Sequence, residues 1–370
     1  MFQEVVYAKR IARLKKKLEP NTIYVFSNPS HIAYFTGFEF LVPNEREAFL
    51  VCDTTTATLI HTNFAPIANF EFLNYASGTH SSLLKMHLEK ILQNLTEQQT
   101  KNPIQILYDA QTLYVAELEA IQQIKKVKTG TMLQTFVHEF MNKKDPNEIS
   151  AIKKASQITM IVFEVVQTKL QVGITENAVS QMISNEFSKH MVRELAFPTI
   201  VAFGANSAKP HHQPGLEKLK EDTVVLIDMG GKFEKYCADM TRTFWFGANP
   251  SKKFKKIEKI VLDAYSLALA VAQQHAKKTI LAKDIDNAAR VHISNQGFGD
   301  YFIHTTGHGL GLDIHEQPSL SWKNSDPINK DLAMTIEPGI YLEKNFGYRY
   351  ENTVLTTSEG CEVLTKLENE

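Results

Sequence analysis

Two runs of this chain each set a pair of carboxylates inside strongly apolar, strand-like surroundings. Asp228 ends VVLID and Asp239 opens DMTRTFWF, with GGKFEKY between them as turn material; Glu337 in AMTIEPGIY and Glu351 in YRYENTVL repeat the arrangement around LEKNFG. Apolar runs of this kind, separated by turn-forming segments, read as β-hairpins. If the first folds near Phe233 and Glu234 and the second at Lys344, Asp228 faces Asp239 and Glu337 faces Glu351. Cross-strand neighbours have Cβ atoms about 4.5 to 5.5 Å apart. Carboxylates that close repel each other unless a proton or a cation lies between them. A single pair could be a solvated surface feature, but two pairs embedded in apolar strands point toward the core. There a carboxylate needs hydrogen bonds, a basic partner or a metal.

Oxygen ligands joined by an imidazole suit Mn²⁺, Fe²⁺, Co²⁺ or Zn²⁺, and shared carboxylates hold two such ions about 3.5 to 4 Å apart. The stretch TTGHGLGLDIHE, residues 305 to 316, offers His308 and His315 as nitrogen donors. Its glycines argue against a helix, so the spacing does not place both rings on one helical face. Other metal and nucleophile patterns are absent: there is no HExxH, no GxxxxGK[ST] and no GxSxG. The GHGLG glycines lack the lysine and the strand-to-helix context of a phosphate loop.

The chain has 370 residues, which exceeds the usual single domain. With 40 basic and 41 acidic residues, no net field draws nucleic acid or an anionic membrane, and a small or neutral partner is expected. The N-terminus carries charges through its apolar positions instead of a signal-peptide core, and no run approaches the roughly 18 uncharged apolar residues of a membrane span. Cys52, Cys237 and Cys361 are odd in number and far apart, which fits reduced thiols in a cytoplasm.

Residues 5 to 18 read as an amphipathic helix, with Val5, Val6, Ile11 and Leu14 on its apolar side and a solvated basic face. TIYVFS, AFLVC and ATLIHT are strand-like, and SSLLKMHLEKILQNL and QTLYVAELEAIQQIK have helical spacing, so residues 1 to 142 form a small α/β domain. The polar segment NKKDPNEIS marks the boundary, with Asp145, Pro146 and Glu148 opening a helix of a second domain, residues 143 to 370. Thr175 caps the next helix. FPTIVAFG, TVVLIDMG and TRTFWFG are β-rich. Two helices follow, then the strands carrying Glu337 and Glu351, giving an α+β chain with a coarse two-part pattern of helices and carboxylate-bearing strands.

The segments DMG (228 to 230), DMTRT (239 to 243), HTTGHGLGLDIHE (304 to 316), TIEPGIY (335 to 341) and GYRYE (347 to 351) together resemble the pita-bread metallopeptidases of family M24, in the Xaa-Pro aminopeptidase and prolidase branch. NPSHIAYFTGF (28 to 38) with NEREAFLVC resembles the creatinase-type N-terminal domain that accompanies proline-specific members. Creatinase itself does not keep the five metal ligands that are all present here. The implied fold is a small α/β creatinase-type domain followed by a pita-bread catalytic domain, a pseudo-two-fold α/β unit with a curved antiparallel sheet.

The resemblance implies two divalent metal ions, manganese or alternatively cobalt, iron or zinc. Their ligands would be Asp228, Asp239, His308, Glu337 and Glu351, with Asp239 and Glu351 bridging and a bridging water attacking the scissile carbonyl. Glu337 would also carry a proton to the leaving nitrogen. His315 and His211 would contact substrate or the tetrahedral intermediate, His211 being taken over His212 because it directly follows Pro210. His304 matches a further active-site histidine, which a backbone partner alone would equally satisfy. Arg349 shares the face of Glu351 by strand alternation and would neutralise the ligand shell. Asp313 and Glu316 are assigned no metal, Thr241 and Thr243 are read as orienting carboxylates, and Cys237 as a packed thiol.

The implied activity is hydrolysis of the bond between an N-terminal residue and proline, by an Xaa-Pro aminopeptidase or, alternatively, an Xaa-Pro dipeptidase. The substrates would be peptides with proline in second position, and the assembly a homodimer. Some pita-bread domains act instead as non-catalytic peptide-binding modules; these typically break the ligand set, whereas here every position is an acid or histidine.

Overall fold

Asn28 and Gly37 show how local chemistry sets the first elements. The Asn28 side chain accepts hydrogen bonds from the amides of Ser30 and His31, Pro29 opens the helix, and Gly37 closes it with φ 72°. The computed structural model describes residues 2–42, 45–62, 70–96, 104–125, 127–132 and 134–367; Met1 and Asn44, which head the MFQEVVY and NEREAFLVC stretches, lie outside them. The chain divides into two units, Met1–Glu139 and Phe140–Glu370, and the polar segment 142 to 150 lies just past the division.

In the first unit, α1 (Phe2–Lys17), β1 (Thr22–Phe26), α2 (Pro29–Thr36), β2 (Ala48–Cys52), β3 (Ala57–His61), β4 (Asn74–Ser77), α3 (Ser81–Thr96), β5 (Ile104–Tyr108), α4 (Val115–Gln122) and β6 (Val127–Thr131) follow in order. They build a six-stranded mixed sheet in the order β4-β3-β2-β1-β5-β6. Strands β1, β5 and β6 run parallel, β3 and β4 run parallel, and β2 is antiparallel to both its neighbours. Ile23, Val25, Phe49, Val51 and Ile106 of the sheet pack on Leu84 and Leu88 of α3 and Ile121 of α4. On α1, Ile11 and Leu14 are buried as expected, whereas Val5 is 48% exposed.

A helix α5 (Gln134–Met141) crosses the division. The second unit proper begins with α6 (Pro146–Thr168), where Asp145 and Glu148 form a reciprocal capping box and Pro146 fills the first helical turn. Thr175 caps α7 (Glu176–Lys189) by accepting from the Ala178 amide. These two helices cover a three-stranded antiparallel sheet of β7 (Ile200–Phe203), β8 (Thr223–Met229) and β11 (Met240–Phe246), with a small ribbon of β9 (Lys232–Phe233) and β10 (Tyr236–Cys237) at the hairpin tip. A second pair, α8 (Lys252–Gln273) and α9 (Ala282–Asn295), covers the remaining strands. These are β12 (Gly307–Gly309), β13 (Glu316–Leu320), β14 (Ala333–Ile336), β17 (Asn352–Thr357) and β18 (Gly360–Val363), in the sheet order β13-β12-β14-β17-β18, together with the two-stranded ribbon of β15 (Gly339–Leu342) and β16 (Phe346–Arg349). Each helix pair thus backs one carboxylate-bearing hairpin.

The register of the first hairpin differs from the expected one. Its turn falls at Glu234 and Lys235, both with positive φ (48° and 74°), so Asp228 pairs with Thr241 and Asp239 lies just before β11. A two-residue turn of that kind matches the twist of its strands. The shift is by two positions along the partner strand, and because side chains alternate with period two, both carboxylates keep the same face. The second hairpin has the expected register, centred on Lys344 (φ 58°).

Candidate metal centre

The second hairpin is interrupted where its carboxylates stand. Pro338 has no amide to donate, and the ladder breaks between Ile336 and Gly339 on one side and between Arg349 and Asn352 on the other. The freed amides bond elsewhere: that of Glu337 donates to Thr306 O at 2.7 Å and that of Glu351 to Thr241 O at 3.2 Å. These two bonds join the second hairpin to the histidine-bearing segment and to the first hairpin. Asp239 is fixed in the same way, its amide donating to Thr353 Oγ1, whose hydroxyl donates back to Asp239 O.

All nine residues singled out from the sequence line one cavity of about 760 Å³: His211, Asp228, Asp239, His304, His308, His315, Glu337, Arg349 and Glu351. Asp239, His308 and Glu351 are the tightest group, each offering a ligand atom within 4.8 Å of the others. Glu337 Oε1 lies 3.5 Å from His308 Nε2, and Asp228 enters through the cation on its other side, Arg349. The glycines around His308 serve close approach: a Cβ on Gly307 would strike Thr335 O and one on Gly309 would strike Gln317 O, so β12 fits between β13 and β14 only without side chains there.

His308 Nδ1 faces Gly309 O at 3.0 Å, a carbonyl that only accepts, so Nδ1 carries the proton and Nε2 presents a lone pair. That lone pair points among carboxylates, with Asp239 Oδ2 at 3.7 Å. Burial holds the His308 pKa down to about 4, with neighbouring His315 adding to the effect. Two acceptors so placed require a cation or proton between them. The carboxylates tell the same story: Asp228 Oδ1 and Asp239 Oδ1 are buried with no hydrogen-bond partner among the described residues. Unit negative charges separated by a few ångströms repel by roughly 3 to 4 kcal/mol per pair at an effective dielectric of about 20. Accordingly, burial and then Glu351, Asp228 and Glu337 push the Asp239 pKa up. Burial and then Glu337 and Asp228 do the same to Glu351. Glu337 is pushed up to about 7, chiefly by burial, with Asp228 raising it and Arg349 opposing. Without added positive charge the site retains protons; orphaned oxygens and an aimed imidazole lone pair suit divalent cations.

Arg349 is the organising cation. It donates to Asp228 Oδ2 at 2.6 Å, to Thr241 Oγ1 at 3.0 Å and to Tyr341 Oη at 2.7 Å. Thr241 then donates to Glu351 Oε2 at 2.6 Å, the orienting role expected of it, while Thr243 bonds the Arg349 backbone. Tyr341, having accepted from Arg349, donates to His304 Nε2 at 2.8 Å, and His304 Nδ1 donates to Thr305 O. Both nitrogens of His304 are therefore engaged, and burial with Arg349 nearby lowers its pKa to about 3. His304 is thus hydrogen-bonded on both sides while its ring lines the cavity. His315 stands edge-on to His308 with ring centroids 4.5 Å apart, and its pKa is lowered by burial and by His211. Of the neighbouring pair, His212 is held by Glu176 at 2.9 Å while His211 is exposed at the cavity wall. Cys237 is fully buried and burial pushes its thiol up.

Three supports are not among the residues singled out from the sequence, although Tyr341 closes the TIEPGIY segment. Glu176, fully buried, accepts from His212, Phe203 N, Asn206 Nδ2 and Gly215 N and so fixes the segment bearing His211. Asp286 accepts from Thr306 and is gripped by Arg290, which also binds the carbonyls of Phe302 and His304. Tyr341 links Arg349 to His304.

Comparison with known proteins agrees with this geometry. The profile of metallopeptidase family M24 matches residues 150–358. Among curated sequences, an uncharacterised peptidase of Staphylococcus aureus (strain bovine RF122 / ET3-1) is 35% identical over 92% of this chain and 94% of its own length. One from Staphylococcus epidermidis is 32% identical over 97% and 99%. Among solved structures, an Xaa-Pro dipeptidase from Bacillus anthracis superposes with TM-score 0.85 at 26% identity, covering 98% of this chain and 99% of that one. An X-Pro aminopeptidase from Thermotoga maritima superposes at 0.80 with 28% identity over 96% and 99%. Prolidase from Pyrococcus furiosus gives 0.81 with 28% identity over 97% and 99%. The α+β architecture is the pita-bread fold preceded by a smaller N-terminal domain, and no described helix is long and apolar enough to cross a membrane. With its profile, its relatives and its acidic centre in agreement, the chain belongs to metallopeptidase family M24.

Proposed function

We propose that the protein is a metal-dependent exopeptidase that hydrolyses the bond between an N-terminal residue and proline, an Xaa-Pro aminopeptidase. The observation that carries this is the convergence of three buried carboxylates, the partly buried Glu337 and the free Nε2 of His308 in one cavity, with Arg349 as counter-charge. Asp228, Asp239, His308, Glu337 and Glu351 would hold two divalent ions, manganese by the oxygen-rich character of the set. When bound, such ions supply a Lewis acid and lower the pKa of water toward neutrality.

The chain's own groups do the rest. Glu337, tied to Thr335 Oγ1 at 3.4 Å, takes the proton from the attacking water and hands it to the leaving nitrogen. His315 and His211 donate to the substrate carbonyl oxygen as it gains negative charge. Arg349 fixes Asp228 directly and Glu351 through Thr241, while His304 and Tyr341 brace Arg349. The apolar wall of Phe197, Pro198, Ile200, Pro210 and Ile314 supports acceptance of a proline ring.

A volume of about 760 Å³ is that of a site for drug-sized ligands and supports acceptance of peptides longer than two residues. The similarity to proteins named prolidase and Xaa-Pro dipeptidase favours the second reading, a dipeptidase restricted to Xaa-Pro. Hydrolysis of Ala-Pro-Ala against Ala-Pro, with Met-Ala-Ser as control, separates them: the aminopeptidase cleaves the tripeptide, the dipeptidase only Ala-Pro. A homodimer in the cytoplasm completes the proposal. A non-catalytic peptide binder would bind no divalent metal in equilibrium dialysis.

A further inference from the structure

Glu316 lines the cavity beside His315, yet the proposed chemistry gives it no part. Its carboxylate is buried, with the side chain 5% exposed, and it pairs with the equally buried ammonium of Lys144 at 2.6 Å. The same Nζ donates to Met141 O at 2.7 Å, and the Lys144 amide donates to Asp331 O at 2.7 Å, so the lysine is anchored at both ends. The other oxygen of Glu316 accepts from the Asp313 amide at 3.3 Å, and the carboxylate lies against Gly311, where a Cβ would collide with it. Glu316 thus closes the loop 310 to 315 onto itself, and Lys144, at the foot of α6, clamps that loop from outside. His315 is the last residue of the clamped loop, directly preceding Glu316.

From this geometry we infer that Lys144 is a positioning residue for His315, acting through Glu316. The inference rests on the reading of His315 as a donor to developing charge. A buried carboxylate deprived of its only close cation among the described residues must move or take up a proton, and either change releases the loop. Because a transition-state contact is lost while the metal ligands stay in place, the loss falls on kcat with KM nearly unchanged. Removing the support of an active group costs about 10- to 100-fold in activity.

The test compares full-length, Mn²⁺-loaded wild type with Lys144→Met, Lys144→Arg and Glu316→Gln. The readouts are kcat and KM on Ala-Pro-Ala and Ala-Pro and bound metal for the Mn²⁺-loaded proteins and, for the same proteins loaded with diamagnetic Zn²⁺, the Cε1–Hε1 resonance of His315 in ¹³C-histidine-labelled protein, assigned with His315→Gln. Lys144→Met is expected to lower kcat at least tenfold with KM within twofold, to keep its metal, and to shift or broaden the His315 resonance. Lys144→Arg is expected to restore both. Glu316→Gln, which keeps the side-chain shape, should reproduce the Lys144→Met result and serves if that variant fails to fold. An unmoved His315 resonance, kcat within twofold of wild type, or loss of metal together with turnover in both Lys144→Met and Glu316→Gln would overturn the inference. Wild type that cleaves neither peptide would refute the functional reading instead, and the His315 resonance alone then decides whether Lys144 positions the ring.

Discussion

Stripping the site of cations should make the protein more sensitive to alkaline pH, and the structure sets the size of the effect. In the cation-free site Glu337 is held from its ordinary 4.5 up to about 7, chiefly by burial and the Asp228 charge. A carboxyl whose pKa is higher folded than unfolded binds its proton more tightly in the folded state. Its stabilising contribution is fully present below pH about 4.5 and is lost as pH rises through about 7. For Glu337 alone the loss amounts to roughly 3 kcal/mol, and Asp239 and Glu351, shifted in the same direction, add to it. Bound divalent cations replace those protons and remove the penalty. At about 2 to 4 °C per kcal/mol for a unit the size of Phe140–Glu370, the gap in the Tm of that unit between loaded and chelated protein should widen by roughly 6 to 12 °C from pH 5 to pH 8. Scanning calorimetry on both forms across that range measures it. A gap that is constant or narrows with rising pH would refute the argument that these carboxylates lack compensation without a cation.

Other variants separate the roles within the site. Glu351→Ala is expected to lose bound metal and turnover together, because it removes one of the three most closely grouped donors; metal analysis showing both ions retained would contradict that assignment. His315→Ala is expected to keep its metal and lose 10²- to 10³-fold in kcat, the usual cost of removing one donor to developing negative charge. Loss of both ions in His315→Ala would mean that His315 and His308 have exchanged roles. Arg349→Met leaves Asp228 buried without its partner and is expected to cost about 3 to 5 kcal/mol in denaturant unfolding. A change below about 1 kcal/mol would show that Arg349 does not compensate the acidic cluster.

What could be read beforehand was whatever local pattern determines. The second hairpin was legible to the residue because its turn, LEKNFG, has one symmetric solution about Lys344. The first differs from its expected register by two positions because Glu234 and Lys235 adopt the left-handed region without a glycine at either place. Alternation nonetheless preserved the face, and with it the inward direction of Asp228 and Asp239. The ladder breaks at Glu337 and Glu351 were not anticipated: Pro338 signals one of them, but the compensating bonds go to Thr306 and Thr241, which are remote in sequence. Glu176, Asp286 and Lys144 were invisible for the same reason. Each is an ordinary charged residue in its local sequence and acquires its function from partners 20 to 172 positions away. His304 lines the cavity and also braces Tyr341, a second role that its motif does not reveal because Tyr341 lies 37 positions away.

On the proposed function, the acidic cluster, charged with metal, cleaves a bond preceding proline. The most direct measurement is release of alanine from Ala-Pro-Ala by Mn²⁺-loaded protein, followed before and after chelation, after Mn²⁺ is restored, and in Asp239→Ala. The expected result is turnover that disappears on chelation, returns with Mn²⁺ and is absent from the variant, with Met-Ala-Ser left intact throughout. Alanine release that survives chelation, or that persists in Asp239→Ala, would contradict it.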